Sequence, residues 1–234
     1  SEAVRADVWE GRFLVGVAGV GTAGDDEVIP EAVEALHRAV ASSRLVASVP
    51  DIGGAVDWSP DGSVFVTEGA EESGLVDIRD AETGETVLAF PGHEIDVNDV
   101  AFSPDGTLLA TTGDDSALRV WDVATGEEVA AFEYPDEGAV WGPSFSGDGS
   151  VLGASWIDQG TVRVFDLASG ALRSQVLADG VVATSIRPDG QQIVVGNLNS
   201  DEVTVAAVDT GAPLFTIGAG QLWVRDVAYS PDGQ

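Results

Sequence analysis

The groups able to do chemistry in this chain are few. It has two imidazoles, His37 and His93, no cysteine, and ten arginines with no lysine. Without cysteine there are no disulfides and no thiolate zinc sites. Serine and threonine are common, but no nucleophile stands in a recognisable constellation with either histidine. His37 reads as a packing or capping residue. Asp25-Asp26-Glu27 and Asp114-Asp115 are adjacent carboxylates, yet neither follows the alternating ligand loop that hard cations favour. They read as loop and turn residues. Gly19-Val20-Gly21-Thr22-Ala23-Gly24 matches the G-x-G-x-x-G spacing of dinucleotide sites. That site needs a helix opening within the glycines and a βαβ unit around them. Here Asp25, Asp26 and Glu27 follow at once and would meet a pyrophosphate with like charge, so the segment reads as a loop or helix end. A phosphate loop of the Gly-Lys-Ser/Thr type is excluded by the missing lysine. The expectation is a chain that is not an enzyme and holds no cofactor or metal.

The elements that carry these residues are strands. Residues 97–126 hold three short apolar runs, near 97–103, 108–113 and 118–123, separated by turn chemistry. In Ser103-Pro104-Asp105-Gly106 the proline and glycine sit at the second and fourth positions of a type I turn. Gly113-Asp114-Asp115 and Thr125-Gly126 break the next two runs, and a fourth run spans Glu127 to Phe132. Four antiparallel strands with tight turns make one small sheet.

The rest of the chain repeats this sheet. The first turn glycine recurs at Gly62, Gly106, Gly149, Gly190 and Gly233, in steps of 44, 43, 41 and 43 residues. The third turn glycine recurs at Gly84, Gly126, Gly170 and Gly211, in steps of 42, 44 and 41. A period near 40–45 residues with four strands per repeat predicts an all-β, partial β-propeller of four-stranded antiparallel blades. Blade one is expected with strands near 54–59, 64–69, 74–80 and 85–90. Blade three is expected near 141–146, 151–156, 161–167 and 172–177, and blade four near 181–187, 192–197, 202–208 and 213–218. A fifth blade begins at Leu222 with its first strand alone, and the chain is expected to be a fragment of a longer protein. Pro30 to Ser42 reads as a helix and Arg44 to Val49 as a strand. Residues 1–43 thus form an N-terminal helical or linker segment, and 44–234 the propeller segment.

On these residues the chain resembles the WD-repeat family. Trp121-Asp122 stands where the family has its Trp-Asp pair, and Gly92-His93 where it has Gly-His. The resemblance implies a structural hydrogen-bond tetrad of His93, Thr111, Asp115 and Trp121. Carboxylate, imidazole, hydroxyl and indole N–H are groups that can satisfy one another in a buried relay. It claims His93 for the fold, against a Ser-His-Asp triad. Other repeats depart from the pattern, with Arg79-Asp80, Phe165-Asp166 and Ala206-Ala207 at the Trp-Asp positions. The helix-like 30–42 segment before the repeats is similar to large bacterial signalling proteins of the STAND type, in which WD repeats follow an ATPase core.

Four tryptophans are placed by this repeat. Trp58 takes the place of Phe102 and is expected in the core. Trp156 ends a second strand and is ambiguous between core and surface. Trp141 and Trp223 begin first strands, near the edge bordering a central channel. Exposed there, they would form a partner-binding rim, with inter-blade packing as the alternative.

Composition sets the partner. Hydrophobic residues are 44% of the chain, enough for a core, and net charge is −30. Such a field repels phosphate backbones and anionic lipids, so neither nucleic acid nor membrane is expected. No apolar run reaches the ~18–20 residues that span a bilayer. The expectation is a cytoplasmic, non-catalytic protein–protein interaction scaffold or sensor whose partner is a protein, basic by charge complementarity, with no small-molecule substrate. The alternative is a ligand-binding or enzymatic propeller of the periplasmic type.

Overall fold

The structure is a computed structural model. It describes Ala3, Val4, Val17, Ala18 and residues 55–233 without 70–73, 136, 179, 198, 201, 219–223, 225 and 231. The expected helix 30–42, the strand 44–49, the glycine segment 19–24 and Trp223 lie outside the described residues. The chain divides into two compact units, Ser1–Pro50 with Glu82–Gly84, and Asp51–Ala81 with Glu85–Gln234. In the first unit β1 (Ala3–Val4) pairs antiparallel with β2 (Val17–Ala18).

The second unit is four sheets of four strands each, every one joined to its neighbour antiparallel and in sequence order. Blade one holds β3 (Val56–Trp58), β4 (Val64–Glu68), β5 (Leu75–Asp80) and β6 (Thr86–Pro91). Blade two holds β7 (Val97–Phe102), β8 (Leu108–Gly113), β9 (Ala117–Asp122) and β10 (Glu128–Glu133). Blade three holds β11 (Val140–Phe145), β12 (Val151–Trp156), β13 (Thr161–Asp166) and β14 (Ala171–Leu177). Blade four holds β15 (Val181–Ile186), β16 (Gln192–Asn197), β17 (Glu202–Ala207) and β18 (Pro213–Gly218).

Turn chemistry fixes these strands. In the first turn of blade two, the Gly106 amide donates to the Ser103 carbonyl at 2.8 Å, with Gly106 at φ 72°. Ser103 Oγ donates to Asp105 Oδ1 at 2.7 Å and accepts from the Leu108 amide at 2.9 Å, which starts the next strand. Ser59-Asp61 and Ser146-Asp148 repeat the hydroxyl–carboxylate bond at 2.7 Å each. The third turn is tied by the aspartate that follows Trp121. Asp122 Oδ1 accepts from the Thr125 amide at 2.9 Å, and Asp166 does the same for Ser169 at 2.9 Å.

The core lies between blades. Strand side chains alternate between the two faces of a sheet, so each blade gives one set to the blade before it and one to the blade after. Val76, Ile78 and Phe90 of blade one pack with Val100, Phe102 and Trp121 of blade two. Leu118, Val120 and Phe132 of blade two meet Leu152, Trp156 and Phe165 of blade three, the Phe132 and Phe165 rings stacking at 4.1 Å. Val162, Val164 and Val176 of blade three meet Ile186, Ile193 and Val195 of blade four. Polar links cross two of these junctions at one repeat position. Asp57 Oδ2 accepts from the Phe102 amide at 2.8 Å, and Ser144 Oγ from the Ile186 amide at 2.9 Å.

Of the expected lone first strand of a fifth blade, residues 224 and 226–230 are described, and they carry no sheet ladder. They are held instead by blade four, with the Val224 amide on the Asn197 carbonyl at 3.0 Å and the Tyr229 amide on Ser185 Oγ at 3.1 Å.

Candidate functional site

The structure brings His93, Thr111, Asp115 and Trp121 together. His93 lies in the connection from β6 to β7, Thr111 in β8, Asp115 in the β8–β9 turn and Trp121 in β9. His93 Nδ1 is 2.7 Å from Asp115 Oδ1, and its Nε2 is 2.8 Å from Thr111 Oγ1. Trp121 Nε1 donates to the same hydroxyl at 2.9 Å. One proton arrangement uses every group: Nδ1–H donates to the carboxylate, the Thr111 O–H donates to Nε2, and its oxygen accepts the indole N–H. Asp115 Oδ2 also accepts the Glu94 amide at 3.1 Å. Burial raises the Asp115 carboxyl, but the His93 hydrogen bond, the Glu94 amide and the Arg119 charge outweigh it and hold it below its ordinary value. No donor of the relay is left for a substrate.

Gly113 is a member that spacing alone did not reveal. A Cβ there would stand 2.5 Å from His93 Nδ1, so the imidazole occupies the room of the missing side chain. Blade one keeps part of the relay. Arg79, in the place of Trp121, donates from Nε to Thr67 Oγ1 at 3.2 Å and reaches Asp77 at 2.6 Å.

Blade three replaces the relay. Trp156 stands where blade two has Gly113, Ala154 where it has Thr111, and Phe165 where it has Trp121. The indole is fully buried. Its Nε1 donates to the Ser116 carbonyl of blade two at 3.3 Å. Arg163 is packed against it, with its guanidinium 3.9 Å from the Tyr134 ring centre and 4.9 Å from that of Trp156. Glu137 pairs with it at 2.6 Å. Cation–π contact and one ion pair thus join the blades where blade two uses hydrogen bonds. Arg163 Nε and Nη1 are buried without hydrogen-bond partners. A tryptophan at a glycine position was the sequence signal for this box.

The remaining candidates separate by exposure. Trp141 begins β11 and is partly exposed. Trp58 corrects an expectation: it is 55% exposed, whereas Phe102 at the same repeat position is 8% exposed. Phe102 is covered by blade one, and among the described residues no blade precedes Trp58. Asp114 is exposed and accepts from Asn98 Nδ2 at 2.8 Å. First strands also bring carboxylates near one another. Burial, together with the charges of Asp226 and Asp57, pushes Asp99 up to about 6 against the amide bonds it accepts. Among the described residues no group of three or more His, Asp or Glu is placed to hold a metal ion. No helix among them is long and apolar enough to cross a membrane.

Residues 84–122 match the family described as WD domain, G-beta repeat. The chain is 41% identical over 147 residues to WD repeat-containing protein SL1-17 of Schistosoma mansoni, covering 62% of this chain and 48% of that one. It is 29% identical over 168 residues to the Periodic tryptophan protein 2 homolog of Dictyostelium discoideum, covering 70% of this chain and 18% of the relative. To the Guanine nucleotide-binding protein subunit beta of Arabidopsis thaliana it is 29% identical over 165 residues, 67% of this chain and 42% of the relative. The chain therefore spans less than half the length of these relatives. All three are eukaryotic, and none lends support to the bacterial STAND-type setting.

Proposed function

For a chain that carries a WD repeat, we propose a non-catalytic scaffold or sensor module that docks a protein partner. The observation that supports it most is the closed relay. His93, the one described imidazole, is spent on Asp115 and Thr111 and holds the blade rather than a substrate. The relative named as a subunit of a guanine nucleotide-binding protein points the same way. The net charge of −30 selects a basic partner and disfavours nucleic acid, anionic membranes and anionic small molecules. Trp141, partly exposed near the start of β11, is the described candidate for the rim contact, and Trp223 is the second. A cytoplasmic setting is part of the proposal. No observation among the described residues favours the ligand-binding or enzymatic alternative.

The test is capture of partners from the source cells with the full chain, alongside titrations with ATP and duplex DNA. A protein partner lost on adding ~0.5 M salt, where the Debye length falls to roughly 4 Å, is the expected result. Tight ATP or DNA binding with no protein recovered overturns the reading.

A further inference from the structure

The loops that join second to third strands, and one blade to the next, meet at a common end of the sheets. Between blades three and four they enclose an open groove of about 650 Å³. Its walls are Ile157, Asp158 and Gly160 from the β12–β13 turn, Leu177 and Ala178 at the end of β14, and Asn199 from blade four. The backbone is fixed here, with the Ala178 amide on the Gly160 carbonyl at 2.9 Å and the Ile157 amide on the Ala139 carbonyl at 3.1 Å.

Two features give the groove a chemistry. Leu177 is 79% exposed, which is more than any other large apolar side chain among the described residues. Blades two and four place Glu133 and Gly218 at the same strand end, so the repeat does not need an apolar residue there. The second feature is charge. The chain carries a net charge of −30, and Asp114 and, on the groove wall, Asp158 are the exposed acids among the described residues of these loops.

We propose that this groove docks an extended basic segment of a partner protein, through one apolar side chain seated on Leu177 and Ile157 and a flanking arginine or lysine facing Asp158, drawn in by the acidic field of the chain. The proposal rests on the interaction-module reading and gives it a site and a ligand class. The groove is open along its length and encloses nothing, which suits an extended peptide. The anchor supplies residence and the charges supply encounter.

The test uses the full chain and fluorescein-labelled peptides read by anisotropy at 50 and 300 mM salt. The probes are Arg-Lys-Leu-Arg-Lys, its Leu-to-Ser counterpart, and Glu-Glu-Leu-Glu-Glu. Leu177→Ser is set against Val129→Ser, which removes an exposed apolar residue from β10. The expected result is binding of the basic leucine peptide, weakened about tenfold both by its own serine and by Leu177→Ser, and unchanged by Val129→Ser. Basic peptides that bind equally well to Leu177→Ser overturn the groove and leave the basic-partner reading standing. Equal binding of the acidic peptide overturns the charge assignment. No binding of any basic peptide at either salt overturns the groove and the basic-partner reading together.

Discussion

Thr111 is the hinge of the blade-two relay, because one hydroxyl serves both the imidazole and the indole. Thr111→Val keeps the shape and removes the oxygen. His93 Nε2 and Trp121 Nε1 are then buried and unpaired, at a cost of about 2–3 kcal/mol, while Thr111→Ser keeps most of the stability. Urea midpoints at constant slope measure this, and equal midpoints for Val and Ser would remove the relay from the account. Trp121→Ala and Trp156→Ala should each cost about 3–5 kcal/mol, since both rings are buried. Asp99 carries the pH dependence. Its folded value is raised to about 6. The native state therefore binds the extra proton between the ordinary carboxylate range and that value, and stability falls as pH rises through the window. Asp99→Asn should stabilise the chain at pH 7 by about 1–2 kcal/mol and change little at pH 4. The opposite sign in melts at the two pH values would show that the carboxylate is not held up by burial. Asp115, held low by its partners, adds stability above the ordinary carboxylate range that is lost as pH falls through its depressed value.

Strands and turns were the most legible scale. A turn glycine is demanded by a positive φ, and Gly62, Gly106, Gly149 and Gly190 all lie near φ 70°. That requirement survives sequence drift, so the period was readable even where Trp-Asp is lost. What was not readable depends on the neighbouring blade. Trp58 and Phe102 occupy the same position in their strands, and only the blade in front separates 55% from 8% exposure. The Asp57–Phe102 bond joins residues of different blades and no local pattern announces it, while the tryptophan in the place of Gly113 marks the Arg163 box but not its partners Tyr134 and Glu137. One turn departs from the glycine rule. Ser116 has φ 65°, where blades one and three place Gly74 and Gly160. Ser116→Gly should therefore stabilise by about 1 kcal/mol, by relieving left-handed strain against the entropy glycine adds to the unfolded chain. Thermal melts of the two proteins decide it, and a lower midpoint for the glycine would show that the buried Ser116 side chain is worth more than the strain.

Across the whole molecule, charge and the end faces dominate. Forty acids against ten bases give strong self-repulsion in the compact state. Raising NaCl from 20 to 500 mM should lift the melting temperature by several degrees, measured by calorimetry, because screening relieves repulsion more than it weakens the few ion pairs. A fall in melting temperature would mean that ion pairs such as the one between Arg119 and Glu133, at 2.7 Å, outweigh the field. The two ends of the blade array are apolar. Phe215 and Ile217 of β18 are each 52% exposed, whereas Phe90, Phe132 and Val176, which match Ile217 by register, are buried. Val56 and Trp58 are the exposed counterparts at blade one. Sedimentation should show reversible association that Phe215→Asp with Ile217→Asp reduces, and an unchanged profile would remove these faces as its cause.

The alternation of locks between blades also has a temporal side. Each blade is a local unit, and its opening is governed by what its two faces touch. Blades two and three are gripped on both faces, one junction carrying the His93 relay and Phe90–Trp121, the next the Arg163 box. Blade four meets blade three on one face and only residues 224 and 226–230, bonded to β15 and β16, on the other, and its β18 is exposed. Amide exchange should therefore run inward, with β18 and β3 first to take up deuterium and the β8, β9 and β12 amides last. A partner that seats on the loops between blades three and four would slow exchange most in blade four, the blade that exchanges early without it, and so would be felt as a change in timing before any change in shape.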